Sequence, residues 1–219
     1  MKNIINKIRN AIAILLHGYF AEYNGKGLII HAKFSDGDED WCDSNGSIIH
    51  MKSSSGSESW YDSDGHLIHY KDSNGTEWWF EYYSNGTLKH SKSSIGREWV
   101  YDANGKLIHT KDVNGYKQFF EYDANGHLIH ETDSYGFDIR YDYDAHGCMI
   151  HEKDERGEIW YEYDRNDHVI HKIGSNGFEE WYGTNGKPIH EKDPSGFEEW
   201  YDPNGNIIHL KCSNGLEYW

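Results

Sequence analysis

Leu67-Ile68-His69-Tyr70-Lys71-Asp72-Ser73-Asn74-Gly75-Thr76-Glu77-Trp78-Trp79 decides the fold. Two short runs rich in aromatic and apolar residues flank Asp-Ser-Asn-Gly. Asn-Gly between such runs is a strong hairpin signal, because glycine takes positive φ without steric cost. Each run is about six residues, the length and composition of a β-strand.

The stretch recurs along the chain. Aligned on one histidine, the copies fall at His31, His50, His69, His90, His109, His130, His151, His171, His190 and His209. The intervals are 19, 19, 21, 19, 21, 21, 20, 19 and 19 residues. Ile precedes the histidine in nine copies, with Lys89 the exception, and Gly lies six residues after it in all ten. Gly lies four before it in nine, with Asp167 in the remaining copy, and Lys lies two after it in eight. A repeat of this period predicts stacked supersecondary units. The expected fold is all-β: tandem hairpins of about 20 residues in an antiparallel meander, as an elongated or spiral β-repeat sheet. Two strands per copy give about twenty strands. The 20- and 21-residue intervals add residues between the aromatic and the Tyr-Asp step, as in Phe119-Phe120-Glu121-Tyr122-Asp123. Such insertions bulge or lengthen a strand without altering the meander.

A three-residue loop such as Ser73-Asn74-Gly75 sets a register. It places Lys33, Lys52, Lys71, Lys92, Lys192 and Lys211 opposite Glu39, Glu58, Glu77, Glu98, Glu198 and Glu217. Each such pair is worth about 0.2–1 kcal/mol. The same register puts each histidine beside the aromatic ten positions on, as His50 beside Trp60. A two-residue turn would break the charge pairing.

Residues 1–18 read differently. Ile4, Ile5, Ile8, Ile12, Leu15 and Leu16 recur with helical spacing and Gly18 terminates them. The expectation is an amphipathic helix over 1–18 that caps the first strand edge of the array at 19–219. The segment carries Lys2, Lys7 and Arg9 and no acid, but its unbroken apolar run, Ala11 to Leu16, is short for a secretory signal. A cytoplasmic protein is therefore expected.

The 219 residues carry 21 Lys+Arg against 37 Asp+Glu, a net charge of −16, with 16% aromatic residues. The aromatic content opposes disorder, and no apolar run is long enough to span a membrane. The charge opposes direct binding of nucleic-acid phosphates. Residues 1–17 hold +3, leaving −19 on residues 18–219. Cys42, Cys148 and Cys212 lack zinc or redox spacing and read as incidental thiols.

Tyr101-Asp102-Ala103-Asn104-Gly105, Tyr122-Asp123-Ala124-Asn125-Gly126 and Tyr201-Asp202-Pro203-Asn204-Gly205 resemble the YD repeats of bacterial RHS-type proteins. The pattern is also similar to MORN-type repeats, which stack as hairpins in a twisted sheet. The resemblance covers roughly residues 20–219 and implies hairpin repeats. The Ile-His-x-Lys element departs from the general YD pattern, and the chain is far shorter than RHS toxin shells, so a cocoon role is not implied. Small MORN-like proteins include antitoxins and interaction scaffolds. Glu179-Glu180-Trp181-Tyr182 and Glu198-Glu199-Trp200-Tyr201 are more loosely similar to choline- and glucan-binding repeats.

Equivalent histidines in successive hairpins are two strands apart, roughly 9–10 Å, too far to share one zinc ion. No metal or other cofactor is expected. Nothing outside the repeat offers a nucleophile, a phosphate loop or paired carboxylates, so no enzyme is expected. Trp41, Trp60, Trp79, Phe119, Tyr161, Trp181, Trp200 and Trp219 occupy one repeat position, whereas Trp78, Trp99 and Trp160 are expected on the other face. Val100, Phe119, Arg140 and Tyr161 replace Trp in the middle copies, and Lys117, Asp138 and Ile159 interrupt the Glu column. Irregular copies mark sites more often than regular ones. Lys117, Phe119, Asp138, Arg140 and Tyr161, with Trp78, Trp99 and Trp160, are the candidate partner-binding residues. The expected function is acidic, non-catalytic protein binding, in its sharpest form as an inhibitor or immunity protein covering a basic groove. A carbohydrate- or choline-binding module and a structural spacer are the alternatives.

Overall fold

A computed structural model describes residues 19–219, and the proposed capping helix over 1–18 lies outside them. The described residues form 21 strands, from Tyr19–Tyr23 to Glu217–Tyr218. They divide into two compact units, one ending at Lys117 and the other running Gln118–Trp219. Within each unit, strands neighbouring in sequence pair antiparallel, as Glu58–Tyr61 does with Leu67–Lys71 and Glu179–Tyr182 with Pro188–Lys192. No helix among the described residues is long and apolar enough to cross a membrane.

The turns are built by an aspartate and a glycine. In the opening stretch Asp72 N donates to the Thr76 carbonyl at 2.9 Å, and Gly75 N donates to the Asp72 carbonyl at 3.0 Å. The Asp72 carboxylate accepts from Asn74 N and Thr76 N at 2.8 and 2.9 Å. Short polar side chains close turns on their own backbone in this way. Gly75 has φ of 87°. Where the eighth copy lacks glycine, Asp167 takes the same left-handed conformation with φ of 62°. Aspartate tolerates that region better than most residues.

All six expected Lys–Glu pairings lie directly opposite, from Lys33↔Glu39 to Lys211↔Glu217. The ion pairs themselves are shared across strands: Lys33 reaches Glu39 at 2.8 Å, whereas Lys192 and Lys211 reach back to Glu179 and Glu198 at 2.6 and 2.8 Å.

Paired residues share a face of the sheet. One face carries the histidines with the Lys and Glu columns. The other carries tyrosines and aliphatic groups, as in Tyr61↔Leu67 and Tyr82↔Leu88. There is little conventional core. Among the described residues only Ala21 and Ala32 are buried apolar residues, and no large side chain is fully buried. Stability therefore rests on side-chain contacts between strands within each face.

Candidate functional site

The histidine face is built by two kinds of copy. In the regular copies the bulge is the residue before the histidine: Trp60 pairs with His69 and Tyr61 with Leu67, leaving Ile68 as the extra residue, while on its other side Trp60 pairs with His50. The rings stack in sequence. In the first unit His31, Trp41, His50, Trp60, His69 and Trp79 follow one another at 4.8, 4.5, 4.6, 4.4 and 5.3 Å. In the second, His171, Trp181, His190, Trp200, His209 and Trp219 do so at 4.5, 4.2, 4.3, 4.3 and 3.9 Å. Most histidines in these stacks also bond a carboxylate, as His50 Nε2 to Glu58 at 3.0 Å and His190 Nε2 to Glu198 at 3.0 Å, whereas His171 Nε2 makes no hydrogen bond.

Two extra residues change this. In Glu77–Tyr82 the bulge stays before the histidine, at Lys89, so the two extra residues leave Glu81 opposite His90 and carry Trp79 along to Lys92. A two-residue insertion preserves the period-2 alternation. It therefore slides a carboxylate into the place a ring holds elsewhere. The same exchange puts Glu121 opposite His130, Asp142 opposite His151 and Glu162 opposite His171. These histidines then have a carboxylate near each ring nitrogen. His130 has Glu121 at 3.3 Å and Asp138 at 3.0 Å. His151 has Asp142 at 2.8 Å and Glu158 at 3.2 Å. His90 has Glu81 at 3.8 Å and Glu98 at 2.9 Å, and His171 has Glu162 and Glu179 at 3.4 and 3.5 Å.

The electrostatics follow the pairing. Glu39 is held below the usual carboxylate range by Lys33 and then His31. Lys153 and His151 do the same for Glu158, and Lys211 and His190 for Glu198, each against some desolvation. Backbone N–H groups hold the turn carboxyl groups of Asp43, Asp144 and Asp164 low.

The middle copies correct three sequence expectations. The turn after Asp154 has only two residues, Glu155-Arg156, with Asp154 paired to Gly157. Charge pairing nevertheless survives, because Glu158 stands five rather than six positions after Lys153 and bonds it at 2.6 Å. Ile159 is thus no interruption of the Glu column; it pairs with Glu152 on the other face. For the same reason Trp160, not Tyr161, joins the ring column, 5.1 Å from His151. Tyr161 pairs with Lys172 on the opposite face, where its hydroxyl donates to Glu152 at 2.8 Å. Desolvation and Glu152 raise the Tyr161 phenol well above its usual value. Asp138 is a shorter substitute for Glu, accepting from His130 at 3.0 Å.

The proposed patch is consequently divided. Phe119 pairs with Thr132, Thr132 with Asp138, and Arg140 with His130, all on the histidine face. Tyr161 lies on the other. Lys117 opens the strand Lys117–Tyr122 at the edge of the first unit. Trp78 and Trp99 do come together, at 5.6 Å on the tyrosine face. They pair with Ser93 and Ser91, which are buried between them. Small side chains on the middle strand let rings from the flanking strands meet.

A second group lies at the turns. Asp62, Asp64 and His66 bring ligand-type atoms within 4.8 Å of one another. Asp62 Oδ1 already accepts from Asp64 N and His66 N, and His66 Nδ1 lies 3.1 Å from Oδ2. His66 also stacks on Tyr82 at 4.6 Å, so it acts as a turn fastener. His127 repeats the arrangement with Asp123 at 3.0 Å and Tyr143 at 4.8 Å.

The Teneurin YD-shell family matches residues 22–180. No curated protein matches. Similar solved structures include a Tc holotoxin pore of Photorhabdus luminescens, at 15% identity and a TM-score of 0.41, covering 91% of this chain and 13% of that one. TcdB2-TccC3 is similar at 15% identity and a TM-score of 0.44, with 93% and 13% covered. The TCP10 domain of Danio rerio CPAP, in complex with a STIL peptide, is similar at 13% identity and a TM-score of 0.31, with 87% and 97% covered. The chain thus spans 13% of the length of the Tc toxin chains it matches. With Tyr-Asp hairpin turns recurring through the matched residues, the chain belongs to the Teneurin YD-shell family.

Proposed function

We propose that this chain is a non-catalytic repeat module that binds another protein, and that the partner presents a basic surface. One observation carries the reading: Glu180, Glu191 and Glu199 stand directly opposite one another on three adjacent strands of the tyrosine face. Like charges so placed are destabilising; Lys172 lies 3.5 Å from Glu180 and the Tyr201 hydroxyl donates to Glu199 at 2.6 Å, and a basic partner would relieve the charge that these leave. The first unit has Met51↔Ser59 and Tyr70↔Trp78 at the equivalent level. The net charge of −16 extends the same preference over longer range. The sharpest form of the reading is an inhibitor or immunity protein that covers a basic groove of an effector; charge alone supports that form.

The glycan- or choline-binding alternative fits less well. Trp41, Trp60, Trp181 and Trp200 each have histidine rings stacked on both sides, which leaves no open ring face for a sugar.

Co-purification at low salt, then titration of the captured protein at two salt concentrations, tests the proposal. The expected partner is basic, and its affinity falls as salt rises. Replacing Glu180, Glu191 and Glu199 by Gln is expected to slow association. Neutral or acidic partners, or binding insensitive to both salt and substitution, would sink the reading.

A further inference from the structure

His151 lies between two carboxylates that differ in freedom. Its Nδ1 is 2.8 Å from Asp142 Oδ2 and its Nε2 is 3.2 Å from Glu158 Oε2. Glu158 is the fixed partner: its other oxygen accepts from Lys153 Nζ at 2.6 Å. Its side chain is 29% exposed, against 70% for Asp142. The ring stacks on Trp160, pairing with Asp142 on one neighbouring strand and Trp160 on the other.

We propose that His151 is a proton-operated clasp joining the strands Asp138–Tyr143, Met149–Asp154 and Gly157–Tyr163. An ionised carboxylate only accepts hydrogen bonds, and a neutral imidazole has one donor. Both contacts can be hydrogen bonds only when both ring nitrogens carry protons. When the ring gives up one proton, one carboxylate must release, and Asp142 is the one free to turn into solvent. The clasp therefore ties three strands at lower pH and two at higher pH.

The other charged groups around the ring are Arg140 on the Asp142 strand, Glu162 on the Trp160 strand, and Lys153 on its own strand. Arg140 pairs with Lys153 and Glu162 with His171, so each belongs to a neighbouring level of the ladder. By contrast, His50 has rings on both sides and bonds only Glu58. One donor satisfies it.

The sign is set by linkage. A ring that binds its second proton more tightly when folded contributes stability that is full at low pH and lost as pH rises. The test compares pH 8 with pH 6, both of which lie above carboxylate titration.

The test uses the full chain. Amide exchange within residues 138–163 is followed at pH 8 and pH 6, corrected for intrinsic rates, together with ring-nitrogen chemical shifts of His151. The expected result is several-fold greater protection at pH 6, with both His151 nitrogens protonated there. Residues 48–61 around His50 provide the comparison and should change little. Asp142→Asn offers an amide donor to the neutral ring, so its protection should become insensitive to pH. Equal wild-type protection at the two pH values would overturn the proposal. So would an unchanged pH response in Asp142→Asn, or a singly protonated His151 ring at pH 6. The ring shifts need no variant and remain decisive if Asp142→Asn folds poorly.

Discussion

Residues 41–69 and residues 138–171 are written in the same repeat, yet they surround their histidines differently. Around His50 both strand neighbours are tryptophans, at 4.5 and 4.6 Å. Around His151 one neighbour is Trp160 and the other is Asp142. The cause is two residues inserted in the facing strand, while the bulge stays directly before the histidine. The regular copies gain ring contact that is insensitive to salt. The elongated copies exchange part of it for charge. Both fit the same hairpin because an even insertion keeps every side chain on its face.

The largest expected difference lies in the rings. Trp60→Ala removes a ring held between two histidines and should cost about 2–3 kcal/mol, below the range of about 3–5 for fully buried aromatics. Trp160→Ala should cost less, because His151 keeps its two carboxylates. Chemical denaturation of the two variants measures this, and equal losses would break the comparison.

The turn glycines give the next difference. Gly75→Ala meets no atom within 4 Å and pays only for left-handed backbone, about 1–2 kcal/mol. Gly147→Ala has the same conformational cost, and its Cβ would also lie 2.9 Å from His127 Nε2. That ring is pinned by Asp123 and Tyr143 and cannot move aside cheaply. Gly147→Ala should therefore lower the unfolding midpoint visibly more.

A smaller effect separates the tyrosines. In elongated copies Tyr143 donates to the Leu128 carbonyl at 2.9 Å and Tyr163 to the Met149 carbonyl at 2.6 Å. The regular Tyr61 reaches only the Met51 sulfur, at 3.5 Å. Tyr143→Phe should cost about 1 kcal/mol, a typical net hydrogen bond, and Tyr61→Phe close to nothing.

Acid should act on both kinds of copy. Glu39, Glu158 and Glu198 are held below the usual carboxylate value, chiefly by lysine. A depressed carboxyl contributes stability present above its unfolded value, near about 4.3 for Glu, and lost as pH falls through the folded one. Lys211→Met should flatten the loss of stability between pH 5 and 3, measured by thermal unfolding. An unchanged slope would show that the Lys–Glu ladder contributes little.

Much of this was legible in the residues. The strands, the turns, six Lys–Glu pairings and the setting of His50 beside Trp60 all follow from spacing, because the period of 2 and the three-residue loop leave little freedom. Trp160 was misplaced because the loop there is one residue shorter. Counting Lys153 to Glu158 as five positions rather than six would have found it. The exchange of ring for carboxylate at His90, His130, His151 and His171 depends on which residue of the lengthened strand is left opposite the histidine by a bulge that stays just before it. The interval of 21 revealed extra residues but not which pair would face the histidine. The division of Phe119 and Arg140 from Tyr161 follows from that same shortened turn.

The most direct test deletes Phe80 and Glu81. The join gives Glu77-Trp78-Trp79-Tyr82-Tyr83, in the spacing of Glu58-Ser59-Trp60-Tyr61-Asp62. Trp79 should then face His90 as Trp60 faces His69, and the His90 ring protons should shift upfield by ring current, toward the positions of His69. His90 signals unmoved in a folded chain would contradict the claim that two inserted residues exchange the ring for a carboxylate.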